Sequence, residues 1–429
     1  SSDPAFLSLP PEDRQVLTID DDLGDFTISD VSGNLKEEAL GDLVTFTVSL
    51  TAIPSSDVII DFSGNDSTEA TIINPTVTFN STNWNIPQTI NLQVVDDFIF
   101  DENQTSTITG SVSSSSDTSF TGAADKSVDV ITEDNEVVDI IVNVLDNLTS
   151  ESGDTGSFEI NLTTEPLSDV FIELTSTNEL EGVLSTSFIS FNATNWNIPQ
   201  VVTVTGVDDD PPVSDGAADY IIITGNVSST DDNYGLLDGS TVDDVNMSNQ
   251  DNDSPGIILT VLNDDFSTSE SGDYVVIQFS LLSKPDGGES VTIPLSLDGP
   301  ANEMDLSADS ITILADNWDN PSSNVVTITG IDELFADGNQ ELILITGDPT
   351  SVSPFYDAIG ADDISNPTLT NEDDDVAQVV FNLSDNVSEN GTTSILSVSL
   401  TSAINTDVFL NFTVADNTEL IINFTELVF

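Results

Sequence analysis

The chain contains no cysteine, no histidine and only 4 Lys and Arg among its 429 residues. The lack of cysteine excludes disulfides and thiolate chemistry, and it leaves the compartment undefined by cysteine usage. The lack of both residues also excludes zinc sites of the usual kind and histidine general bases. Because nucleic acids and anionic membrane surfaces are bound by clustered basic side chains, the shortage of Lys and Arg excludes both as partners.

Long apolar runs are also missing. No stretch approaches the roughly 18 apolar residues needed to cross a bilayer, and no signal peptide is recognisable, so we expect no membrane insertion. Sustained apolar periodicity of the helical kind is absent. Instead the sequence has short alternating runs between dense turn formers, as at 46–50 and 201–205. Such runs predict an all-β fold built of short strands.

Acidic residues dominate the charge, with 77 Asp and Glu and a formal net charge of −73. A compact chain with this charge repels itself unless cations join it. Two explanations remain open and can hold together: specific binding of divalent cations, or a generally acidic, solvated surface suited to saline surroundings. The carboxylates are clustered and the clusters recur along the chain, which favours divalent binding.

A tryptophan segment recurs three times. The sequence Asn-Trp-Asn-Ile-Pro-Gln occupies 83–88 and returns at 195–200, and a degenerate copy occupies 317–321. The three segments hold all 3 tryptophans of the chain, Trp84, Trp196 and Trp318, spaced 112 and 122 residues apart. Sugar stacking and core or rim packing are both compatible with these residues, and packing is the preferred interpretation.

Two further landmarks recur in the same order. An early Glu (Glu38, Glu151, Glu270 and Glu389) stands 11 or 12 residues before a strand-ending Leu. Each tryptophan segment is followed by a strand and an acidic loop, and an acidic run closes each unit, at 20–22, 133–135, 251–253 and 372–375. Recurrence of three landmarks at a fixed order is the signature of tandem repeats.

The landmarks divide the chain into five parts. We predict the C-terminal tail of a preceding repeat at 1–22, whole repeats at 23–136, 137–253 and 254–375, of which the last is the most divergent, and the N-terminal half of a further repeat at 376–429. The expectation is a piece of a longer array. About seven short strands in roughly 115 residues indicate a Greek-key, immunoglobulin-like β-sandwich, and such sandwiches in tandem predict an elongated rod.

These acidic motifs resemble Calx-β repeats, the calcium-binding sandwiches of sodium–calcium exchangers and of large surface proteins. The resemblance implies that the early Glu, the acidic loop and the closing run meet at one tip of each sandwich and hold several Ca²⁺ ions near the junctions between repeats. The implied ligands are Glu38, Asp96, Asp97, Asp101, Glu102 and Asp134; Glu151, Asp208, Asp209, Asp215, Asp251 and Asp253; and Glu270, Asp332, Glu333, Asp337, Asp373 and Asp374.

Calcium is also what the residue types favour by themselves. Ca²⁺ takes six to eight oxygen ligands, mostly from carboxylates and carbonyls. Several carboxylates gathered at one tip without a cation would repel one another strongly. The competing interpretation is that the acidic loops are simply turns facing water, since Asp and Asn favour turns.

Asparagine sequons of the form Asn-x-Ser/Thr are frequent. In a secreted chain they would be acceptors for N-linked glycans, although a chain this rich in Asn, Ser and Thr also produces many by chance. They lie at Asn65, Asn80, Asn103, Asn147, Asn161, Asn192, Asn226, Asn246, Asn382, Asn386, Asn390, Asn411 and Asn423.

Three functional hypotheses follow. The first is a calcium-stabilised structural or adhesive array on the cell surface, forming a stalk or filament whose partners are neighbouring repeats and, in a filament or bundle, identical chains. The second is a calcium-sensing regulatory module, and the third is a surface-layer coat protein. Catalysis is not expected, because an enzyme does not need several copies of one acidic tip at a fixed spacing.

Overall fold

The computed structural model describes residues 2, 4–5, 14–16, 23–225, 227–237, 239–262, 265–416 and 418–429. The predicted acidic run at 20–22 and the sequon at Asn226 lie outside the described residues. The described chain is almost entirely β-strand and turn, with a few helices of three or four residues. No described helix is long and apolar enough to cross a membrane.

The first repeat (23–136) folds into two sheets that face each other. Its strands are β1 (Phe26–Ile28), β2 (Leu35–Lys36), β3 (Leu43–Leu50), β4 (Val58–Ser63), β5 (Ala70–Ile72), β6 (Thr76–Phe79), β7 (Gln88–Val94), β8 (Gln104–Ser115) and β9 (Lys126–Glu133). Sheet I has the order β1-β3-β7-β5 and sheet II the order β2-β9-β8-β4-β6. All pairs are antiparallel except β2 with β9, which run parallel.

The second repeat (137–253) has the same plan. Its strands are β10 (Ile140–Asp146), β11 (Leu148–Ser150), β12 (Thr155–Leu162), β13 (Val170–Glu173), β14 (Thr175–Ser176), β15 (Gly182–Leu184), β16 (Phe188–Phe191), β17 (Gln200–Gly206), β18 (Val213–Ser214), β19 (Ala218–Ile223), β20 (Val227–Ser229) and β21 (Val245–Gln250), with helix α1 (Asp232–Gly235). Sheet I is β10-β12-β17-β15, and sheet II consists of β11-β21-β19-β14 beside β16-β13-β20.

The third repeat (254–375) repeats the plan once more. Its strands are β22 (Ile257–Val261), β23 (Ser267–Ser269), β24 (Tyr274–Leu281), β25 (Lys284–Pro285), β26 (Val291–Asp298), β27 (Met304–Leu306), β28 (Ser310–Ile313), β29 (Val325–Gly330), β30 (Gln340–Thr346), β31 (Thr350–Ser351) and β32 (Thr368–Glu372), with α2 (Pro354–Asp357) and 3-10 helices at Asp286–Gly288, Ala315–Asn317, Pro321–Ser323 and Ala361–Asp363. Sheet I is β22-β24-β29-β27, and sheet II is β23-β32-β30-β26-β28 with β31 beside β26.

Residues 376–429 form two antiparallel pairs. The strands β33 (Val379–Leu383) and β34 (Leu396–Leu400) pair with each other, as do β35 (Phe409–Asn411) and β36 (Glu426–Val428). The ring of Phe412 lies between those of Phe381 and Phe424, at centroid distances of 6.1 and 5.3 Å.

Each whole repeat has its own hydrophobic core between its two sheets. Strict alternation along the central strand of sheet I produces it: β3, β12 and β24 all bury every second residue. Phe46, Phe158 and Ile277 occupy corresponding positions on these strands and, like Phe279 two residues further along β24, are almost fully buried in three separate clusters. Burying a phenylalanine side chain contributes about 1.5–3 kcal/mol. The all-β tandem sandwich fold predicted from the sequence is confirmed.

The tryptophans pack against these cores. Trp196 belongs to the core of the second repeat, while Trp84 and Trp318 are half-buried against the other two. The carbonyl oxygen of each tryptophan accepts the N–H of the last residue of the central strand, Leu50, Leu162 or Leu281, at 2.8–2.9 Å. The recurring segment therefore fixes where the following strand of sheet I begins.

Successive repeats contact each other through the acidic loops. The carbonyl oxygens of Phe98 and Phe100 accept bonds from Glu165 N (2.7 Å) and Asn233 Nδ2 (3.1 Å) of the second repeat. The ring of Phe98 also lies 5.7 Å from that of Trp196.

The next two junctions use the same loop. In the second repeat, β18 pairs in parallel with β25 of the third, and Lys284 N donates to Pro212 O at 2.8 Å. The third repeat continues the pattern, because Ala403 N donates to Leu334 O. In all three places an apolar or proline-containing stretch between the loop carboxylates is the part that reaches the following repeat.

Candidate metal centre

A parallel strand pair brings the early Glu and the closing run together. In the second repeat, β11 and β21 run parallel with Ser150 opposite Gln250, so the next residues, Glu151 and Asp251, leave the sheet at the same edge. Parallel strands end at a common edge, which is the reason two segments 100 residues apart meet there. The pairs β2/β9 and β23/β32 place Glu37 beside Asp134 and Glu270 beside Asp373 in the same way.

The acidic loop completes this edge. In the second repeat it follows β17 and precedes β19, and its backbone is attached to the closing run: the N–H groups of Asp215 and Gly216 donate to Asp251 Oδ2 at 3.1 and 2.7 Å. Corresponding bonds reach Asp134 Oδ2 in the first repeat and Asp373 Oδ2 in the third. One carboxylate of the closing run thus holds the loop in register in each repeat.

A second recurring bond fixes the early Glu. Oε2 of Glu151 accepts the N–H of Asn252 at 3.0 Å. Oε2 of Glu37 and of Glu270 accept the corresponding N–H of the closing run, each at 3.3 Å. One oxygen of each buried glutamate is therefore held by backbone, which orients the carboxylate toward the other acids.

Among the described residues, four groups of carboxylates have ligand oxygens lying within 4.8 Å of one another. The second repeat has two of them, and both contain Glu151. The groups are Glu37, Asp134 and Glu136; Glu151, Asp209 and Asp215; Glu151, Asp251 and Asp253; and Glu270, Glu333 and Asp337.

One position differs from the sequence expectation. The structure places Glu37, which is 3 % exposed, in the group of the first repeat, whereas Glu38 is exposed and lies outside it. The turn after the early Glu is longer here: Glu37 stands 13 residues before Leu50, compared with 11 between Glu151 and Leu162. The near-constant spacing selected Glu38, whereas the carboxylate group in the structure contains its neighbour Glu37.

The other predicted ligands divide into two sets. Asp134, Glu151, Asp209, Asp215, Asp251, Asp253, Glu270, Glu333 and Asp337 belong to the four groups. Asp97 and Asp101 lie close enough to Glu69 for their charges to raise its pKa, and Asp373 acts in the same way on Glu270. Outside the four groups are Asp96, Asp97, Asp101, Glu102, Asp208, Asp332, Asp373 and Asp374.

Sequence reasoning missed a second glutamate in each repeat, buried in the first and third repeats and half-buried in the second. Glu69, Glu181 and Glu303 directly precede β5, β15 and β27, and their strands lie at the edge of sheet I. Burial and the charges of Asp101, Asp97 and Asp66 raise the pKa of Glu69 to about 7. The signal was present in the sequence: each of these glutamates follows an Asn by one to four residues and immediately precedes a small or apolar strand residue.

Glu136 and Asp375 were missed as well. Glu136 lies one residue beyond the closing run at 133–135, and Asp375 lies within the run at 372–375 without being among the predicted ligands; acidic residues are too dense there for the sequence to single out one. Glu136 belongs to the group of the first repeat.

The carboxylates are crowded and desolvated. Burial, followed by hydrogen bonding with Glu136, raises the pKa of Glu37 to about 8. Burial together with neighbouring aspartates raises the pKa of Glu151 to about 7, of Glu270 to about 7 and of Asp215 to about 6. Both causes disfavour the charged form of these carboxylates. Raised pKa values are what is expected of a ligand cluster considered without its cation.

Several of these carboxylates retain a buried oxygen without a hydrogen-bond partner. They are Glu136 Oε2, Asp215 Oδ1, Asp253 Oδ2, Glu333 Oε1 and Asp375 Oδ2. A buried oxygen without a partner is costly, and native proteins normally satisfy it with a donor, a water or an ion. Four of the five oxygens belong to the groups described above.

The residues present fit a hard divalent cation. The ligand atoms are carboxylate oxygens alone, with neither thiolate nor imidazole, and this is the donor set that Ca²⁺ takes. Unpartnered oxygens converge with a buried glutamate whose second oxygen is already held by backbone. If the acidic loops were simply turns facing water, these carboxylate oxygens would not be buried.

The sequons lie at the surface where the structure describes them. None of the twelve described asparagines is buried. Asn80 and Asn192 are engaged in their own turns, because Oδ1 accepts the hydroxyl of Thr82 at 2.6 Å and of Thr194 at 2.7 Å. These two sequons have a structural role in the turn that precedes the tryptophan.

Comparisons with known proteins give weak likenesses only. Neither a protein-family model nor a curated protein matches the chain. Among solved structures it is similar to the D0-D1 domain of intimin (14 % identity, 52 % of this chain and 99 % of that one, TM-score 0.19). It is also similar to the calcium binding domain CBD12 of CALX1.1 (12 %, 47 % and 79 %, TM-score 0.21) and to surface layer protein SbsC, domains 4-9 (12 %, 84 % and 49 %, TM-score 0.21). Likenesses at these TM-scores carry no functional assignment.

Proposed function

We propose that this chain is a calcium-stabilised structural or adhesive array outside the cell, a stalk or filament segment without catalytic activity. The observation that carries the proposal is that one loop does two things in the second and third repeats: it supplies carboxylates to the groups and it contacts the following repeat. The loop after β17 supplies Asp209 and Asp215 to the carboxylate groups, and its middle, at β18, pairs with the following repeat.

Calcium binding is thereby linked to the stiffness of the junction. An ion that bridges Glu151, Asp209 and Asp215 would hold the loop against the sheet edge, and the loop in turn holds the next repeat. Without the ion, repulsion among the carboxylates pushes the loop outward. A hinged chain becomes a stiffer one when calcium is present, and this is the property that a stalk requires.

The array function is preferred over calcium sensing because the same arrangement recurs in three successive repeats. A sensor needs an effector whose activity the ion changes, whereas a stalk needs many equivalent junctions. Extracellular calcium modules bind with dissociation constants of about 10⁻⁴–10⁻³ M, and sensors with about 10⁻⁷–10⁻⁵ M. A surface-layer coat would use the same fold and ions, with broad lateral contacts in addition.

The test is thermal unfolding of the whole chain in millimolar calcium and in chelator. Each site occupied only in the folded state adds RT ln(1 + [L]/Kd), about 2.7 kcal/mol at a hundredfold excess over Kd. We expect a large fall in Tm on chelation that calcium reverses and that sodium at equal ionic strength does not. An unchanged Tm would refute structural calcium, and a dissociation constant in the sensor range would favour the regulatory module.

Stiffness is measured separately by small-angle scattering. The expected result is a longer, narrower distribution of interatomic distances in calcium than in chelator, at temperatures where both samples are folded. Equal distributions would leave calcium as a stabiliser of single repeats and would remove the stiffening part of the proposal.

A further inference from the structure

The second and third repeats each carry a buried tyrosine on a short helix. Tyr234 on α1 and Tyr356 on α2 are 1 and 0 % exposed. The hydroxyl of Tyr234 donates to the carbonyl oxygen of Thr164 at 2.9 Å and accepts the N–H of the same residue at 3.2 Å. The hydroxyl of Tyr356 forms the same two bonds with the backbone of Ser283. Each tyrosine therefore fixes one residue just beyond the central strand of sheet I.

The residue that the tyrosine fixes stands directly before a contact with the preceding repeat. The N–H of the residue after Thr164 donates to Phe98 O of the first repeat at 2.7 Å. The N–H of the residue after Ser283 donates to Pro212 O of the second repeat at 2.8 Å, and β25 begins there as the parallel partner of β18. In both junctions, the tyrosine thus positions the segment that contacts the acidic loop of the preceding repeat.

The residue before each tyrosine contacts the same loop at a second place. Asn233 Nδ2 donates to Phe100 O of the first repeat at 3.1 Å. The ring of Phe355 lies against Gly216 of the second repeat so closely that a Cβ added at this glycine would be 2.8 Å from Cζ of the ring. Gly216 has a φ of 81°, in the region that favours glycine. Each acidic loop is therefore held at two places by parts of the following repeat that one tyrosine joins.

These contacts fall in the part of the loop that carries the carboxylates. In the second repeat, Pro212 and Gly216 are close in sequence to Asp209 and Asp215, which form one carboxylate group with Glu151. Oδ1 of Asp215 is buried without a partner. The N–H of Gly216, on which the ring of the third repeat lies, also donates to the closing run at 2.7 Å. Movement of the following repeat would therefore change the geometry of this group.

The first repeat has the corresponding arrangement. Phe98 and Phe100 stand between Asp97 and Asp101 in the sequence. The N–H of Asp101 donates at 3.0 Å to Asp134, which belongs to the carboxylate group of this repeat. The contact with the second repeat is thus one hydrogen bond away from a ligand of the first.

We propose that Tyr234 and Tyr356 are positioning residues for the metal centre of the preceding repeat, so that each repeat organises the calcium site of its N-terminal neighbour. The inference rests on the proposed function, because it concerns how tightly those carboxylates hold calcium. A loop that is already held in its binding geometry loses less conformational freedom when the ion binds, and binding is stronger for that reason. Loss of the hydroxyl frees the contacting segment and, through it, the loop.

The sandwich itself does not require the hydroxyl. In the first repeat, Phe120 occupies the place of the tyrosine and is fully buried in the core. It stands three residues after Asp117, whose Oδ1 accepts the N–H of Ser119, just as Oδ1 of Asp231 accepts the N–H of Asn233. A change of tyrosine to phenylalanine should therefore leave the repeat folded and remove the hydroxyl alone.

The test is hydrogen exchange of the whole chain, followed by mass spectrometry while calcium is titrated. Peptides covering the acidic loops at 95–103, 207–217 and 331–339 report the calcium concentration at which each loop is half-protected. For Tyr356→Phe, we expect this concentration to rise about three- to tenfold at 207–217, which is the range that one hydrogen bond supplies, and to stay unchanged at the other two loops. Tyr234→Phe should produce the same rise at 95–103 alone.

Both expected changes lie in the repeat that precedes the substituted tyrosine. A tyrosine that serves only its own repeat would instead shift the loop of that repeat, which is 331–339 for Tyr356→Phe and 207–217 for Tyr234→Phe. Either that result or unchanged midpoints in all three loops would overturn the proposal.

Two further variants separate the junction from general stability. Asn233→Ala removes the second contact with the first loop and keeps the tyrosine, so it should also shift 95–103. Tyr220→Phe removes a buried hydroxyl of the second repeat that lies 3.1 Å from Thr149 Oγ1 of the same repeat, and it should leave 95–103 unchanged. If no loop of the wild-type chain gains protection with calcium, the proposed function is refuted and this inference with it. Protection with calcium but without these shifts contradicts only the positioning role.

Discussion

The first and second repeats form the same acidic edge, but the buried residues beneath that edge differ. In the second, Thr149 Oγ1 donates to Asn249 Oδ1 at 3.0 Å, and Asn249 Nδ2 donates to Glu181 Oε2 at 3.2 Å. In the first, the corresponding positions are Leu35 and Thr132, and the hydroxyl of Thr132 is buried without a partner. The third repeat resembles the second, because Thr268 bonds to Asn371 in the same way.

The difference shows that the carboxylate groups do not depend on a particular pair of buried residues beneath them. What all three repeats share is the parallel strand pair and the backbone bonds to the closing run. In the second and third repeats, a hydrogen-bonded threonine and asparagine lie beneath the acidic edge. In the first repeat, Leu35 and Thr132 take their places without such a bond. The ligand edge is therefore specified by topology, while the layer below it varies.

The largest effect is expected from removing the glutamate that two groups share. Glu151→Gln takes one charged ligand from both groups of the second repeat, whereas Glu37→Gln affects one group of the first. Gln retains an oxygen for the N–H of the closing run, so folding should persist. We expect Glu151→Gln to lose about twice as much calcium-dependent stabilisation, of the order of 2.7 kcal/mol per site at hundredfold excess.

This comparison is measured by calcium titration calorimetry and by the calcium-dependent change in Tm. Equal losses in both variants would mean that the two groups around Glu151 do not bind separate ions. No loss in either would contradict the assignment of these residues as ligands.

The buried residues beneath the acidic edge provide the second test. Asn249→Ala leaves the hydroxyl of Thr149 without its acceptor and removes a donor to Glu181, so it should destabilise the second repeat by about 1–3 kcal/mol. Thr132→Val removes a hydroxyl that bonds to nothing and should be neutral or slightly stabilising. Chemical denaturation in calcium measures both. If Thr132→Val lowers the free energy of unfolding as much as Asn249→Ala does, the difference inferred between the buried residues of the two repeats is wrong.

The third test is the pH dependence of stability without calcium. The pKa values of Glu37, Glu151 and Glu270 are raised in the folded chain to about 8, 7 and 7. The folded state then binds more protons than the unfolded state, so stability is greatest below the unfolded pKa near 4.5 and falls as pH rises toward 7 or 8. In chelator, we expect a lower Tm at pH 8 than at pH 5.

Calcium should reverse that trend, because the ion binds the charged carboxylates and its affinity rises as they lose protons. A melting series across this pH range, with and without calcium, gives both slopes from one protein sample. Parallel slopes would show that the carboxylates that titrate are not those that bind the ion.

Much of the architecture was predictable because it depends on local, repeated patterns. Alternation in 46–50 predicted a strand with one buried face, and the spacing of the tryptophan segments predicted the number of repeats to look for. The predicted boundaries of the repeats stay predictions, although each of the three cores lies inside one predicted range.

The ligand assignments stay predictions, but the structure shows which of the predicted acids lie together. Asp209 and Asp251 could be named because they flank strands and recur, but Glu37 could not be distinguished from Glu38 when the turn that follows changes length. Glu181 was missed for a different reason: its local pattern is a weak one, and its place beside the other acids depends on how β15 pairs with β17 across the sheet.

The parallel pairing of β11 with β21 also determines how a repeat responds to mechanical force. A pull on the two ends of the second repeat drags β11 toward the start of the chain and β21 toward its end. Their hydrogen bonds are then loaded in shear and must break together rather than one after another. The same displacement separates Glu151 from Asp251 and Asp253, so an ion held among them would act as a latch that tension has to open.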